Sequence, residues 1–428
     1  MRRTLALLFG FGAVLATAGV AGAQVHPHPV VRLDRPATVA SEAADLAAAD
    51  NPAAQGNPAD PADAERPQQI GTVERVGAVL DTLGARRSVT LRYPGASYIK
   101  VHFDRLLLLP GDAVTVSDPS GTESQRITGG AAQWAMSVTG DTALVRLVPA
   151  TLDPLGLRQR LAGTASGLAV RVDRVARGFS ASELAARLAA DQAAKPVRTT
   201  SKPESICGGV DDKRDAVCYK SSDPVAYNRS KAVARLLIDG VELCTGWRIG
   251  PSNRMLTNHH CFTDSATAAN TEVWFNYECA VCGGFEVLRP TKVSGDTVLA
   301  TDQRLDFTLF TVRDFPSITR FGYLELDVRP LQRGEELYIA QHPGGDPRMM
   351  AMDTRGTGGG DCSVADPAYD GYGQDTDVAY YCDTEGGSSG SPVLSRYTNK
   401  VIALHHFGGC PNSGVRADLL YDAIGRLL

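Results

Sequence analysis

Residues 386–392 read GGSSGSP, and this stretch decides how the second half of the chain is interpreted. A serine hydroxyl becomes a nucleophile only when a base removes its proton and nearby donors stabilise the oxyanion that forms. Glycines beside a serine let the backbone turn sharply, so that successive N–H groups can point to one position. The motif therefore predicts that Ser389 is a nucleophile. It also predicts an oxyanion hole formed by the backbone N–H groups of Gly387 and Ser389.

A second motif, LTNHHC at residues 256–261, supplies a candidate base for that serine. It follows a strand-like stretch, and a general base is typically a histidine held in one tautomer. Two histidines are adjacent here, and we choose His260, the one beside Cys261. A disulfide from Cys261 to the earlier Cys244 would staple the base-bearing loop to the preceding strand.

The third motif, RLDFTLF at residues 304–310, places Asp306 at the start of an apolar strand. A buried carboxylate at that point would accept the other imidazole N–H of the base and stabilise the imidazolium. Three nearby aspartates are weaker candidates, because none leads directly into so apolar a strand. They are Asp296, Asp302 and Asp314.

Short strands dominate the sequence around these motifs. From residue 205 onward, short apolar stretches alternate with turn residues, and no helical pattern separates them. Residues 418–428 are apolar at helical spacing and predict a closing helix. Strands without intervening helices favour an all-β domain of closed or paired barrels over an α/β sheet.

The order His260, Asp306, Ser389, together with the three motifs, resembles the chymotrypsin-like (trypsin-like) serine endopeptidases. TNHHC, LDFTLF and GGSSGSP are similar to that family's A-A-H-C, D-I-A-L-L and G-D-S-G-G-P boxes. The segments TEGGSSGSP and AQHPGGDPR are more similar to the secreted bacterial lysyl- and arginyl-endopeptidase group. The resemblance covers residues 205–428 and implies a double β-barrel with a C-terminal helix.

The first half of the chain divides into a leader, a linker and a β-rich unit. Residues 1–23 combine two arginines, an apolar run and a small-residue triplet, which is typical of a secretory signal peptide; a membrane anchor is the alternative. Residues 24–68 are rich in Ala, Pro, Asp and Asn and predict a disordered linker. Residues 69–204 alternate apolar and polar residues and predict a small β-sandwich.

The bacterial relatives are made as precursors, so the resemblance implies that residues 69–204 belong to a propeptide. In the animal digestive relatives an aspartate precedes the nucleophile and pairs with the new N-terminal amine, whereas this chain has Ser388. Activation is therefore expected to differ from theirs. The β-rich unit would assist folding or block the cleft until it is cut. The alternative is a binding domain that the mature protein retains.

Nine cysteines, all in the second half, together with the leader predict a secreted protein with disulfide bonds. Cys244–Cys261 follows from the base motif. Cys362–Cys382 would bridge a glycine-rich loop to the strand that leads into the nucleophile.

The resemblance to the endopeptidase group implies a further disulfide, between Cys207 and Cys410. Cys218 would then pair with Cys279 or Cys282, and one thiol would be left over because nine is an odd number. The sequence alone leaves this connectivity open.

Residues that flank the nucleophile are candidates for substrate binding. Asp383 stands where trypsin-like relatives carry the carboxylate that holds a Lys or Arg side chain, and a structural carboxylate is the alternative. His405, His406, Phe407 and Gly408 form a wall segment whose backbone would pair with an extended substrate. A histidine at this wall also resembles glutamyl endopeptidases, and half-buried strand histidines are a further alternative. We favour cleavage after Lys or Arg.

Composition and charge exclude other classes of protein. The net charge of −5 over 428 residues argues against a nucleic-acid binder, and no long apolar run follows the leader. A zinc site is disfavoured because it would remove His260 as the base, and no cofactor or metal is expected. The sequence thus predicts a monomeric, extracellular or periplasmic enzyme that hydrolyses proteins or peptides. The alternatives are a protease with acidic specificity, an esterase, and an inactive protease-like binding protein.

Overall fold

The computed structural model describes residues 31–32, 66–83, 85–150, 156, 160, 169–194, 206–207, 211–352 and 362–428. The predicted signal peptide, most of the predicted linker and the segment 195–205 lie outside these ranges. None of the helices within them has the length and hydropathy of a membrane-crossing segment.

Eleven strands are described in the first half of the chain. They are β1 (Val31–Arg32), β2 (Gln68–Gln69), β3 (Gly71–Asp81), β4 (Ser88–Arg92), β5 (Tyr98–Leu106), β6 (Ala113–Ser117), β7 (Ser124–Ile127), β8 (Gln133–Trp134), β9 (Val138–Thr139), β10 (Thr142–Val148) and β11 (Ala169–Gly178).

Strands β3 to β11 form a β-sandwich of two antiparallel sheets. One sheet has the order β4-β10-β6-β7 and the other β3-β11-β5-β8, with β9 also paired to β5. In β10 the side chains of Ala143, Val145 and Leu147 are buried in the core between the sheets, while Arg146 is exposed. This alternation follows from the period of two along a strand. Helix α1 (Ala181–Ala194) follows the sandwich.

Fifteen further strands form the second half. They are β12 (Arg214–Asp215), β13 (Val233–Ile238), β14 (Glu242–Arg248), β15 (Met255–Thr257), β16 (Glu272–Phe275), β17 (Glu286–Val287), β18 (Thr291–Asp302), β19 (Phe307–Val312), β20 (Leu337–Gln341), β21 (Met349–Ala351), β22 (Val364–Tyr369), β23 (Asp377–Tyr380), β24 (Pro392–Ser395), β25 (Val401–Phe407) and β26 (Asn412–Arg416).

Short helices connect or close these strands. The α-helices are α2 (Pro224–Ser230), α3 (Ser265–Asn270) and α4 (Ala417–Ile424). The 3₁₀ turns are Ala216–Tyr219, Phe315–Phe321, Pro343–Gly345 and Gly425–Leu427.

The first barrel has the strand order β13-β16-β18-β19-β15-β14, and a six-pair ladder between β13 and β14 closes it. Its interior is apolar, with Leu236, Phe275 and Phe310 fully buried. The two-residue strand β2 lies outside the ring and pairs with β14, and β1 pairs with β17.

The second barrel has the strand order β20-β24-β25-β26-β23-β22. A bridge between Glu336 and Ser363 joins the first and last of these strands, while β21 and β12 extend the sheet beyond β20. Ile339, Val378 and Val393 lie in its core.

A third apolar cluster joins the two barrels and includes Trp247, Leu256, Tyr338, Leu404 and, from α4, Leu420. The predicted all-β double barrel, its C-terminal helix and the preceding β-sandwich are confirmed. The loops that carry the three predicted motifs come from both barrels, two from the first and one from the second.

Candidate active site

The structure brings His260 and Asp306 together. His260 Nδ1 lies 2.8 Å from Asp306 Oδ2, and the backbone N–H of His260 donates to Oδ1 over 3.0 Å. An ionised carboxylate only accepts hydrogen bonds, so Nδ1 carries the proton and Nε2 is left as the basic nitrogen. Asp306 is buried. The two contacts together set the position of the imidazole and its tautomer.

The backbone of Asp306 is also fixed by a hydrogen bond. Its backbone has a φ of +41°, in the left-handed region, and Asn258 Nδ2 donates to its carbonyl over 2.8 Å. Burial alone would raise the pKa of Asp306, but its interactions with His260 and His406 hold that pKa well below its usual value. The carboxylate therefore stays ionised at neutral pH.

His259, the other histidine of the motif, faces a different partner. Its Nδ1 lies 2.9 Å from Thr301 Oγ1. The loop is held to β14 by the disulfide between Cys244 and Cys261. Among the described residues, Cys244, His260 and Cys261 are close enough together to suggest a metal site, but the disulfide leaves no thiolate to bind a metal ion.

Ser389 lies between β23 and β24 on a loop whose backbone is held at three points. The carbonyl of Gly386 accepts from Gly344 N over 2.7 Å. The carbonyl of Gly387 accepts from Thr245 Oγ1, and that of Ser389 from Thr245 N, each over 2.8 Å. Because Thr245 follows Cys244 in β14, one short stretch of β14 positions both the loop of the base and the loop of the nucleophile.

Two glycines of this loop cannot carry a side chain. Gly387 has a φ of +97°, and a Cβ there would collide with Leu243 and lie 3.0 Å from the carbonyl oxygen of His342. Gly390 has a φ of +86°, and a Cβ there would collide with Thr245 and with Thr257. The local sequence GGSSG is thus required by backbone conformation and by close packing.

His260 Nε2 is buried and makes no hydrogen bond within the described ranges of the chain. Catalytic hydrogen bonds are often long or unformed until substrate binds, so this is compatible with a role as base. Gly390, the residue after Ser389, packs against Thr257 three positions before His260. The predicted nucleophile and base are therefore on loops in contact, one from each barrel.

Ser388, the residue before the predicted nucleophile, hydrogen-bonds to an uncharged side chain of β20. Ser388 Oγ donates to Gln341 Oε1 over 2.5 Å, and Gln341 Nε2 donates to the carbonyl of Asp383 over 2.8 Å. This hydroxyl stabilises the turn with neutral groups.

Asp383 is buried, and both of its carboxylate oxygens are engaged. Oδ1 accepts from the backbone N–H of Cys207 and Oδ2 from that of Asp212, each over 2.7 Å. This geometry supports the structural interpretation of Asp383, because the carboxylate anchors the segment that begins the second half of the chain.

His405 and His406, predicted at the substrate-binding wall, are fully buried. His405 Nδ1 lies 2.8 Å from the hydroxyl of Tyr380, and burial lowers the pKa of His405 to about 3, so its ring is neutral. His406 faces Asp306 instead of an open pocket. Phe407 is half-buried beside Gly408 and packs on the rings of Tyr372 and His406.

Asp377 is a residue that sequence reasoning missed. It begins β23, and its Oδ2 lies 2.6 Å from His406 Nε2. No local motif marks it. The register that pairs β23 with β26 and β26 with β25 brings it to His406, and a period-two pattern alone does not specify that register.

The structure contains four disulfides. They are Cys207–Cys410, Cys218–Cys282, Cys244–Cys261 and Cys362–Cys382. Cys279 is the thiol left over, and it is buried.

Residues 244–404 match the family model of the trypsin-like peptidase domain. Over this range the chain is similar to the trypsin-like peptidase domain. The matched range includes His260, Asp306 and Ser389, and it spans strands of both barrels.

One curated relative is the secreted RxLR effector protein 73 of Plasmopara viticola, which is 38% identical over 222 residues. The match covers 50% of this chain and 54% of the effector, so the chain spans about half the length of that relative.

Similar solved structures include a Glu endopeptidase in complex with MPD (20% identity, TM-score 0.37, 52% of this chain and 99% of that one). Others are the active form of the Rv3671c protease from M. tuberculosis (17%, 0.34, 48% and 85%) and Deg5 (15%, 0.35, 47% and 90%).

Proposed function

We propose that this protein is a serine endopeptidase that cleaves peptide bonds through His260, Asp306 and Ser389. The observation that carries the proposal is the pair of hydrogen bonds between His260 and Asp306, which leaves Nε2 as the proton acceptor. Trypsin-like peptidase domains, to which residues 244–404 are similar, act on proteins or peptides. The glycine loop that Thr245 holds in place carries Ser389, the proposed nucleophile.

In the proposed reaction, Ser389 Oγ attacks the carbonyl carbon of the substrate while His260 Nε2 takes its proton. The backbone N–H groups of Gly387 and Ser389 donate to the oxyanion. His260 then gives the proton to the leaving amine, and water hydrolyses the acyl-enzyme by the same route. Asp306 stays ionised throughout and stabilises the imidazolium.

We propose cleavage after Lys or Arg because three carboxylates surround Lys213 beside the nucleophile loop. Lys213 Nζ lies 2.9 Å from Asp211 and 3.7 Å from Glu385, and Asp383 interacts with the same lysine. Three carboxylates against one ammonium give this cluster a net negative charge, which favours a cationic substrate side chain. The alternative is an acidic specificity in which Lys213 receives the substrate carboxylate.

Peptides that differ only in having Lys, Arg or Glu before the cleaved bond separate these two specificities. We expect kcat/KM to be highest for Lys or Arg, and Glu385→Gln to lower it for those peptides alone. A preference for Glu that Lys213→Met abolishes would establish the acidic specificity instead.

We propose further that residues 24–204 are a propeptide that obstructs the cleft. Strand β2 pairs Gln68 with Leu243, two residues from the Thr245 that holds the nucleophile loop. A Cβ at Gly386 would collide with Gln68, so the Gln68 side chain rests on that loop. An extended peptide adds to a free strand edge, and here β2 already occupies it.

Secretion is part of the proposal. Four disulfides favour an oxidising compartment, the first 23 residues are typical of a signal peptide, and the effector relative is named as secreted. The protein would therefore act outside the cell or in the periplasm.

Covalent labelling by a fluorophosphonate tests the nucleophile directly. We expect the protein freed of residues 1–204 to be labelled, Ser389→Ala not to be labelled, and Ser391→Ala to behave like the wild type. Ser391 is the matched control because its buried hydroxyl makes no hydrogen bond within the described ranges. Equal labelling of Ser389→Ala would refute the assignment. No labelling of the wild type would favour a binding protein.

A further inference from the structure

His406 lies between two carboxylates in the interior of the protein. Its Nδ1 is 3.2 Å from Asp306 Oδ2, and its Nε2 is 2.6 Å from Asp377 Oδ2. All three side chains are 2% exposed or less. The proposed triad therefore continues from His260 and Asp306 through His406 to Asp377, in an unbroken chain of hydrogen bonds.

The geometry specifies the charge of His406. Ionised carboxylates accept hydrogen bonds and donate none, so each ring nitrogen of His406 must carry a proton. A neutral imidazole has only one N–H and would leave one carboxylate facing a lone pair. Burial alone would lower the pKa of His406, but Asp377 and Asp306 raise that pKa to about 10, in agreement with a buried imidazolium.

The Asp377 carboxyl group accepts hydrogen bonds from two hydroxyl groups as well. Ser413 Oγ donates to its Oδ2 over 2.7 Å, and Thr376 Oγ1 donates to its Oδ1 over 3.1 Å. Space for it depends on Gly371, where a Cβ would collide with the carboxylate. The donors come from β26 and from the turn before β23. The second barrel therefore supplies both Asp377 and the hydroxyl groups that hold it against His406.

We propose that His406 is a positioning residue of the catalytic centre. Anchored by Asp377, its cation holds Asp306 in place and partly neutralises the charge of that carboxylate. This inference rests on the proposed function. Among the described residues His406 hydrogen-bonds to Asp306 and Asp377, so it acts on the catalytic centre through Asp306.

Other groups near His406 do not change this expectation. His405 is neutral at the pH of interest, because burial lowers its pKa to about 3. Tyr372 meets His406 edge-on, with ring centroids 5.7 Å apart. Among the described residues, the carboxylates that contact His406 are therefore Asp306 and Asp377.

The pH profile of kcat/KM for a cleaved peptide tests the proposal. His406→Gln removes a positive charge near His260, so protonated His260 is favoured and the acid limb should move to higher pH, by on the order of half a pH unit to one. We expect kcat at the optimum to fall about tenfold with KM nearly unchanged. Asp377→Asn should shift the limb in the same direction.

His259→Gln is the matched control, since it makes the same replacement on a histidine that faces Thr301. It should leave the pH profile and kcat unchanged. A His406→Gln enzyme that is less stable but keeps the wild-type profile and kcat would reduce His406 to a structural residue and overturn the proposal.

A second measurement needs neither activity nor a folded His406 variant. In folded Ser389→Ala protein, ¹⁵N NMR of the eight histidines should show one buried ring that keeps both N–H protons at pH 8. If no buried histidine ring keeps both N–H protons up to pH 7, the proposal is contradicted. If the wild type cleaves nothing, the proposed function fails, while this titration still decides the charge of His406.

Discussion

At the scale of single residues, the candidate site depends on contacts that specify charge as well as position. Asp306 receives hydrogen bonds on both oxygens, and His260 is left with one basic nitrogen. Asp383 has the same kind of double contact, but with backbone N–H groups that anchor the chain. The partner of each carboxylate, more than its place in a motif, indicates its role.

Replacing Asp306 by Asn tests the first of these contacts. The amide would favour the wrong tautomer of His260, so kcat should fall by a factor on the order of 10⁴ while the protein still folds. Steady-state kinetics at neutral pH measure this loss. Asp302→Asn is the control, because Asp302 is exposed at the end of β18, where its carboxylate accepts from the backbone N–H of Leu305, and the variant should keep full activity.

Replacing Gly387 by Ala tests the oxyanion loop. The φ of +97° and the contact with Leu243 would force the loop to move, and loss of one oxyanion donor typically lowers kcat by a factor of about 10² to 10³. Gly322→Ala is a matched control, since Gly322 has a similar φ of +74° and open space around its Cα. Equal kcat in the two variants would show that Gly387 has no special role.

The sequence predicted the side chains that lie in compact motifs. His260, Asp306 and Ser389 each stand beside a strand end that the local pattern marks, so their candidacy could be argued from short windows. His406 and Asp377 are 29 residues apart and meet only through strand register. No short window contains that information, so the sequence predicts only a place in the substrate wall for His406.

At the scale of elements, one strand coordinates the loops of the site. Strand β14 bonds to the nucleophile loop through Thr245 and to the base loop through Cys244. The strand pattern and the closing helix were predictable, since apolar alternation and helical spacing are local. The pairing of β2 with β14 was not predictable. It uses backbone groups of two glutamines in a polar segment that shows no strand pattern.

Replacing both Cys244 and Cys261 by Ala tests the role of that strand. The bond closes a loop of 17 residues, so its loss should lower the free energy of unfolding by about 3 kcal/mol and also reduce kcat. Denaturant unfolding and kinetics measure the two effects. Replacing Cys218 and Cys282 by Ala removes a disulfide that closes a longer loop and does not hold the loop of His260. This change should lower the free energy of unfolding and leave kcat intact.

At the scale of the whole molecule, the sandwich docks on the first barrel through buried charges. Glu272 lies 3.0 Å from Lys100 Nζ, accepts from Ser137 Oγ over 2.7 Å and is 1% exposed. Tyr98 also donates to the carbonyl of Gly240 over 2.8 Å. The change in sequence pattern along the chain could predict a β-sandwich and a second β-rich domain. It could not predict this interface, because the residues that meet there are more than 130 positions apart in sequence.

This interface should weaken in acid. Burial alone would raise the pKa of Glu272, but Lys100 and Lys292 lower it from 4.5 to about 2. A depressed folded-state pKa contributes stability above pH 4.5 that is lost as the pH falls toward 2. Protein nicked between residues 195 and 205 should elute as one particle at pH 7 and separate over that window.

Glu272→Gln should weaken the same docking at pH 7, and Glu242→Gln, in β14 on the far side of β13, should not. A nicked protein that stays intact at pH 2, or a Glu272→Gln variant as tightly docked as the wild type, would show that the buried ion pairs do not hold the two units together.

The most direct test of the proposed activity is a comparison of wild type and Ser389→Ala, both freed of residues 1–204, on a denatured protein mixture, with new termini read by mass spectrometry. We expect new termini in the wild-type sample alone, most of them after Lys or Arg. The same termini in both samples, or none in either, would contradict the proposed activity.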